Sequence, residues 1–131
     1  MSVLVDTCIW SALLRRQNPN SREAGELQRL ILAGEARIIG PVRQELLAGI
    51  RHAHQFAHLR GALRAFADLT LRREHYEQAA EFTNLCILHG VQGNSTDFLI
   101  SAVAQVEGLA IYTTDLDFTY YARHLPIRLH A

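Results

Sequence analysis

Lysine is absent: all 13 basic residues of this 131-residue chain are arginine. That excludes Schiff-base chemistry, a P-loop and lysine-assisted aspartyl phosphorylation. Cysteine is scarce. Cys8 and Cys86 stand far apart, outside any CxxC or Cys/His ligand spacing, and read as buried thiols in a reducing compartment. Proline occurs three times, at Pro19, Pro41 and Pro126, each time between elements, and no linker, low-complexity tract or internal repeat divides the chain. The apolar runs are far too short for a bilayer span, and Asp6 stands where a secretory leader would be basic and then apolar. The expectation is a single soluble domain over residues 1–131, cytoplasmic, with no membrane partner.

What is present is ordinary for such a domain: 49% apolar and 20% charged residues, with 13 acids balancing the 13 arginines. The length suffices to bury a core without a disulfide or structural metal. Charge is nonetheless divided, because residues 1–73 hold 11 arginines against 6 acids and residues 74–131 hold 2 against 7. A polyanion would therefore bind only a local arginine surface. Arg43 and Arg51 are the leading candidates for contact with the phosphates of a polyanion, with Arg60, Arg64, Arg72 and Arg73 behind them, since guanidinium groups grip phosphate bidentately.

Periodicity predicts alternating strands and helices. Val3-Leu4-Val5 reads as a buried strand, followed by a helix with Ile9, Trp10, Leu13 and Leu14 on one face. Asn18-Pro19-Asn20-Ser21 is a turn and cap before a second helix carrying Ala24, Leu27, Leu30 and Ile31. Arg37 to Ile39 form strand two, and Pro41 opens a helix running to about Gly49. One or two helices follow over His52 to Ala67, then a small strand or extended link at Leu69 to Leu71. A long helix spans Arg73 to His89, with Tyr76, Ala80, Leu85 and Leu88 as buried candidates and Gly90 as its cap. A further helix carries Leu99, Ala102, Val103 and Val106 and stops at Gly108. Leu109 to Tyr112, Leu116 to His124 and Ile127 to Leu129 complete the chain as strand, helix and strand. Such alternation implies an α/β fold with a central, mainly parallel sheet flanked by helices.

The acids carry the chemistry. Of five aspartates, Asp6, Asp97, Asp115 and Asp117 fall just after a predicted strand or at the opening of a helix, and Glu45 lies about one turn into the helix after strand two. Ligand sites of parallel sheets collect at the carboxyl ends of the strands. Each aspartate alone also suits a helix cap, and Glu45 alone suits a solvated helix face. Capping does not explain acids gathering on one edge without basic neighbours. Two unit charges about 4 Å apart repel by about 4 kcal/mol at an effective dielectric of about 20, so protons or a divalent cation must neutralise them. Oxygen-only ligands favour Mg²⁺ or Mn²⁺, and an activated water could then attack phosphorus.

These residues carry a resemblance. The segments Val3-Leu4-Val5-Asp6-Thr7-Cys8-Ile9-Trp10, Pro41-Val42-Arg43-Gln44-Glu45-Leu46-Leu47-Ala48-Gly49, Ser95-Thr96-Asp97-Phe98-Leu99-Ile100-Ser101-Ala102-Val103-Ala104 and Tyr112-Thr113-Thr114-Asp115-Leu116-Asp117-Phe118 resemble, in order and spacing, PIN-domain ribonucleases of the VapC toxin type. The resemblance covers essentially the whole chain and implies a PIN-like three-layer fold. It implies that Asp6, Glu45, Asp97 and Asp115 are the catalytic, metal-binding acids and that Asp117 is an auxiliary acid. It also implies an Mg²⁺- or Mn²⁺-dependent endoribonuclease leaving a 5′-phosphate and a 3′-hydroxyl. Its implied partners are RNA, a cognate VapB-like antitoxin encoded beside it, and a second copy in a homodimer. Thr7 and Thr114 would orient water or metal, while Thr96 fits a helix cap. Ser101 departs from the family's usual Ala.

Other features weigh less. His54 and His58 share a helix face, but a zincin needs Glu after the first His and Gln55 stands there. A haloacid-dehalogenase site would want an acid where Cys8 is, and serine hydrolysis lacks a Gly-x-Ser-x-Gly elbow. Trp10, Leu13 and Leu14 beside the 24–31 helix are expected either to complete the core or to leave a groove for an antitoxin helix. Two other functions fit the same fold: a structure-specific DNA nuclease, and a non-catalytic binding module.

Overall fold

A computed structural model describes residues 1–15 and 20–131. Asn18 and Pro19 of the expected turn lie outside the described residues. Ser21 does cap the helix that follows, its Oγ accepting from the Ala24 N–H at 3.1 Å.

The described residues form three strands, β1 (Val3–Val5), β2 (Ala36–Arg37) and β3 (Ala110–Tyr112), in one parallel sheet of order β2-β1-β3. Seven α-helices surround it: α1 (Thr7–Trp10), α2 (Arg22–Leu32), α3 (Gly40–Leu47), α4 (Ala53–Leu63), α5 (Arg73–Leu88), α6 (Ser95–Glu107) and α7 (Asp117–Tyr121). The expected α/β architecture with a parallel sheet is what forms. The expected strand at 127–129 reduces to one bridge, Ile111 to Leu129, and the region at 69–71 to one bridge, Ile38 to Asp68. Too few backbone groups pair there to extend the sheet.

Core residues follow the apolar pattern. β1 is fully buried, and Ile9, Trp10, Leu27, Leu30, Ile38, Ile39 and Ile100 pack around it. Trp10 settles one expectation: it has no exposed surface, donates its indole N–H to the Val5 carbonyl at 3.2 Å, and meets Phe66 edge-on at 4.9 Å between ring centroids. It is a core residue, unavailable to an antitoxin groove. After Trp10 the helix widens into a π-helical turn over Ser11–Arg15.

The long helix α5 packs on α6 with a different face from the one expected. Tyr76, Ala80 and Leu88 are exposed and Leu85 is half-buried, whereas His75, Phe82 and Cys86 are buried. The reason is His75. Its Nδ1 accepts from the Arg72 N–H at 2.9 Å, so its Nε2 carries the proton and donates to Glu107 of α6 at 3.2 Å. A polar residue with both ring nitrogens satisfied thus occupies the helix interface, and the apolar stripe beside it faces outward. Gly108 closes α6 in the left-handed conformation, φ +71°, which turns the chain into β3.

Candidate metal centre

β1 lies between β2 and β3, so chain segments leave it toward both sides and the carboxyl ends of the three strands form one edge. The register pairs Val5 with Tyr112, and the Asp6 N–H donates to the Tyr112 carbonyl at 2.9 Å. Asp6 and Thr113, distant in sequence, therefore emerge side by side. Asp97 arrives from the first turn of α6, Asp115 and Asp117 from the loop and helix start after β3, and Glu45 from α3 beyond β2.

Asp97, Asp115 and Asp117 each offer a carboxylate oxygen within 4.8 Å of the others. Among the described residues this is the one group of three or more His, Cys, Asp or Glu side chains that converges so closely. The side chain expected to be auxiliary, Asp117, thus stands in the cluster itself. Asp6 adjoins it: its charge and those of Asp115 and Asp117 raise the pKa of Asp97. Glu45 stands apart, exposed, with Oε1 accepting the Thr7 hydroxyl at 2.7 Å. Thr7 links Glu45 to the helix that Asp6 opens.

Burial and like charge dominate the electrostatics. Burial first, then its acidic neighbours, push the Asp97 carboxyl up to about 6, against a lowering bond from Tyr121. Burial likewise raises Asp6, despite bonds from Thr113, the Thr7 N–H and Cys8 that favour its charged form. Among the described residues no arginine or histidine forms an ion pair with Asp6, Glu45, Asp97, Asp115 or Asp117. At 4.8 Å, two carboxylates repel by about 3 kcal/mol at an effective dielectric of about 20. Three converging oxygen donors without a cation among them fit a hard divalent metal ion, and the absence of any sulfur or imidazole in the group disfavours zinc.

Neutral groups hold the carboxylates in place. Thr113 donates its hydroxyl to Asp6 Oδ2 at 2.7 Å and accepts the Asp115 N–H at 3.0 Å, clamping two acids together. Asp115 Oδ1 accepts the Asp117 N–H at 2.9 Å. Tyr121, fully buried on α7, donates to Asp97 Oδ2 at 2.8 Å. Its phenol is wedged against Gly93, where an added Cβ would stand 2.8 Å from the ring Cζ. Asn94 caps α6 by accepting the Asp97 N–H at 2.8 Å, the part expected of Thr96. Ser101 spends its hydroxyl on the Asp97 carbonyl at 2.9 Å, so the family's usual Ala is replaced at no cost in unsatisfied polarity.

The chain matches the family model for the PIN domain over residues 3–124. It belongs to the PIN-domain family. Solved structures similar to this PIN domain include FitAcB from Neisseria gonorrhoeae, 23% identical, with 98% of this chain and 96% of that chain covered and a TM-score of 0.80. VapBC2 from Rickettsia felis bound to a DNA fragment from their promoter is 18% identical over 99% and 98%, with a TM-score of 0.75. DNA-bound VapBC from Salmonella typhimurium is 17% identical over 99% and 97%, with a TM-score of 0.76. A comparison with curated proteins returned no significant match.

Three residues of this PIN domain's site escaped sequence reading. Thr113, not Thr114, faces Asp6; Thr114 instead donates to the Cys8 Sγ at 3.4 Å. Strand alternation read from the Val5 to Tyr112 register selects Thr113. Cys8 is half-buried at the site edge rather than a core thiol, and Cys86 alone is fully buried. Tyr121 carried no signal, because its role depends on how α7 packs beneath α6. Arg43, expected to contact phosphate, donates in this structure to Asp68, the Leu63 carbonyl and the Phe66 carbonyl. Its guanidinium ties the end of α4 to α3. Arg51 is exposed and has no ion-pair partner among the described residues. No described helix is long and apolar enough to cross a membrane.

Proposed function

We propose that this PIN domain is an Mg²⁺- or Mn²⁺-dependent endoribonuclease of the VapC toxin type. The observation that carries the reading is the convergence of Asp97, Asp115 and Asp117, with Asp6 beside them, without a basic partner. These four acids would hold the cation. When bound, it supplies Lewis-acid stabilisation of the charge developing on the scissile phosphodiester. Thr113 and Tyr121 keep Asp6, Asp115 and Asp97 in register for that ion. Glu45, held by Thr7 and exposed, orients the attacking water and takes its proton. Water adds to phosphorus, the 3′-oxygen leaves with a proton from solvent, and the products are a 5′-phosphate and a 3′-hydroxyl.

Partners follow from the same reading. The neighbouring structures named above include VapBC pairs, which supports a VapB-like antitoxin as the partner that holds this chain inactive. The exposed apolar residues Tyr76, Ile87 and Leu88 on α5 support a homodimer.

The test is cleavage of matched single-stranded RNA and DNA by the purified chain with Mn²⁺, with Mg²⁺ and with EDTA. The reading predicts RNA cleavage with either ion, none with EDTA, and 5′-phosphate ends. Preferential DNA cleavage, or turnover that survives EDTA, overturns it.

A further inference from the structure

A cavity of about 710 Å³ opens where the π-helical turn ends, the loop after α3 passes and α4 begins. Its wall carries Arg15, Arg51, His52, His54 and His58 and, among the described residues, no aspartate or glutamate. That composition is unusual for a protein whose acids equal its arginines. Among the described residues Arg15 and Arg51, like most of the arginines, form no ion pair, and these two share one wall. Two guanidinium groups without a carboxylate partner among the described residues thus line one hollow.

Local geometry holds Arg15 at the cavity wall. Gly49 has φ +83°, and the Arg15 Nη2 lies 3.9 Å from where a Gly49 Cβ would stand, so the loop backbone turns beneath the guanidinium. His52 caps α4 without a side-chain hydrogen bond, leaving the first-turn N–H groups of that helix without a side-chain acceptor. Arg15 and the N-terminal turn of α4 therefore border the same space. The histidines add ring N–H donors and flat faces on which a base can stack. The volume is that of a pocket for a nucleotide-sized ligand.

The cavity also lies close to the acidic edge. Arg15 follows Thr7 by eight residues of continuous helix, about 12 Å or less at about 1.5 Å per residue, and Gly49 lies in the loop that leaves α3 just after Glu45. An anionic site repels an anionic substrate, so affinity must come from cations beside it.

We propose that this cavity is a phosphate-binding subsite for single-stranded RNA, gripping a nucleotide away from the scissile bond through Arg15 and Arg51, with His52, His54 and His58 seating its base. The assignment rests on the nuclease reading for its substrate, but the binding it predicts is independent of cleavage.

The experiment measures fluorescence anisotropy of a labelled single-stranded RNA of about 12 nucleotides with the full chain in EDTA, over a salt series. Wild type is compared with the Arg15→Gln/Arg51→Gln double variant and with Arg15→Lys/Arg51→Lys, each checked for an unchanged melting temperature. Each lost phosphate contact lowers the slope of log K against log salt by about 0.7, so the Gln variant should lose about 1.4 and bind at least tenfold more weakly. The Lys variant should keep the slope. In Mn²⁺ the Gln variant should raise KM for long RNA about tenfold with kcat retained. Unchanged slope and affinity in the Gln variant overturn the proposal. So does loss of binding to an acidic peptide with RNA binding intact, which would assign the cavity to a protein partner. If wild type cleaves no RNA, the nuclease reading falls while the salt slope still decides the cavity.

Discussion

Replacing Asp97 by asparagine should make the metal-free protein more stable while removing its activity. Asp97 has its carboxyl raised from 3.8 to about 6, chiefly by burial and then by Asp6, Asp115 and Asp117. A raised folded-state value means that the folded protein holds the proton more tightly than the unfolded chain. The associated stability is fully present below about pH 4 and is lost as pH rises through about 6. At about 1.36 kcal/mol per pH unit, the ionised carboxylate costs up to about 3 kcal/mol at pH 7.5. Asparagine keeps an oxygen to accept from Tyr121 and carries no charge. For a chain of this size the variant should melt roughly 10 °C above wild type in EDTA at pH 7.5. The gap should close near pH 4, where wild-type Asp97 is protonated. Adding Mn²⁺ should raise the wild-type melting temperature and leave the variant's nearly unmoved. Thermal unfolding followed by circular dichroism at both pH values reads all three. A variant that melts at or below wild type at pH 7.5, or a gap of the same size at pH 4, would refute the reasoning.

Three further perturbations separate the supporting residues. Thr113→Val keeps the shape but removes the hydroxyl that bridges Asp6 and the Asp115 N–H, and should cut metal affinity or activity roughly 10- to 100-fold; Mn²⁺ titration and steady-state cleavage check this, with Thr114→Val affected far less. Gly93→Ala drives a methyl into the Tyr121 ring, which should cost about 1–3 kcal/mol and reduce turnover by loosening Asp97. Urea unfolding and cleavage rates measured together would expose a change in one without the other. Arg43→Ala leaves the Leu63 and Phe66 carbonyls and Asp68 without their donor and should cost about 1–3 kcal/mol of stability. RNA affinity under folded conditions should not change; a reduced salt slope would return Arg43 to the nucleic-acid surface.

The positions of Asp6, Asp97 and Asp115 were legible because parallel strands end on one edge, and an acid placed just after a strand or opening the next helix arrives there whatever its distance in sequence. What lay beyond the sequence depended on register and packing. One residue decides whether Thr113 or Thr114 meets Asp6, and only the Val5 to Tyr112 pairing fixes it. Asp117 outranks Glu45 in the cluster because α7 begins at Asp117 and brings its carboxylate back to Asp115, while Glu45 is turned to Thr7. The buried face of α5 was misread because apolar periodicity cannot anticipate a histidine satisfied on both nitrogens by Arg72 and Glu107. Arg43 looked like a surface cation until Asp68 and two helix-end carbonyls met it in space.

The central claim is that these aspartates together form a divalent-cation site. Calorimetric titration of Mn²⁺ into wild type, Asp97→Asn and Asp115→Asn measures it without reference to any substrate. Saturable uptake by wild type, abolished or weakened at least tenfold in both variants, is the predicted result; equal uptake by all three proteins, or none by wild type, would contradict it.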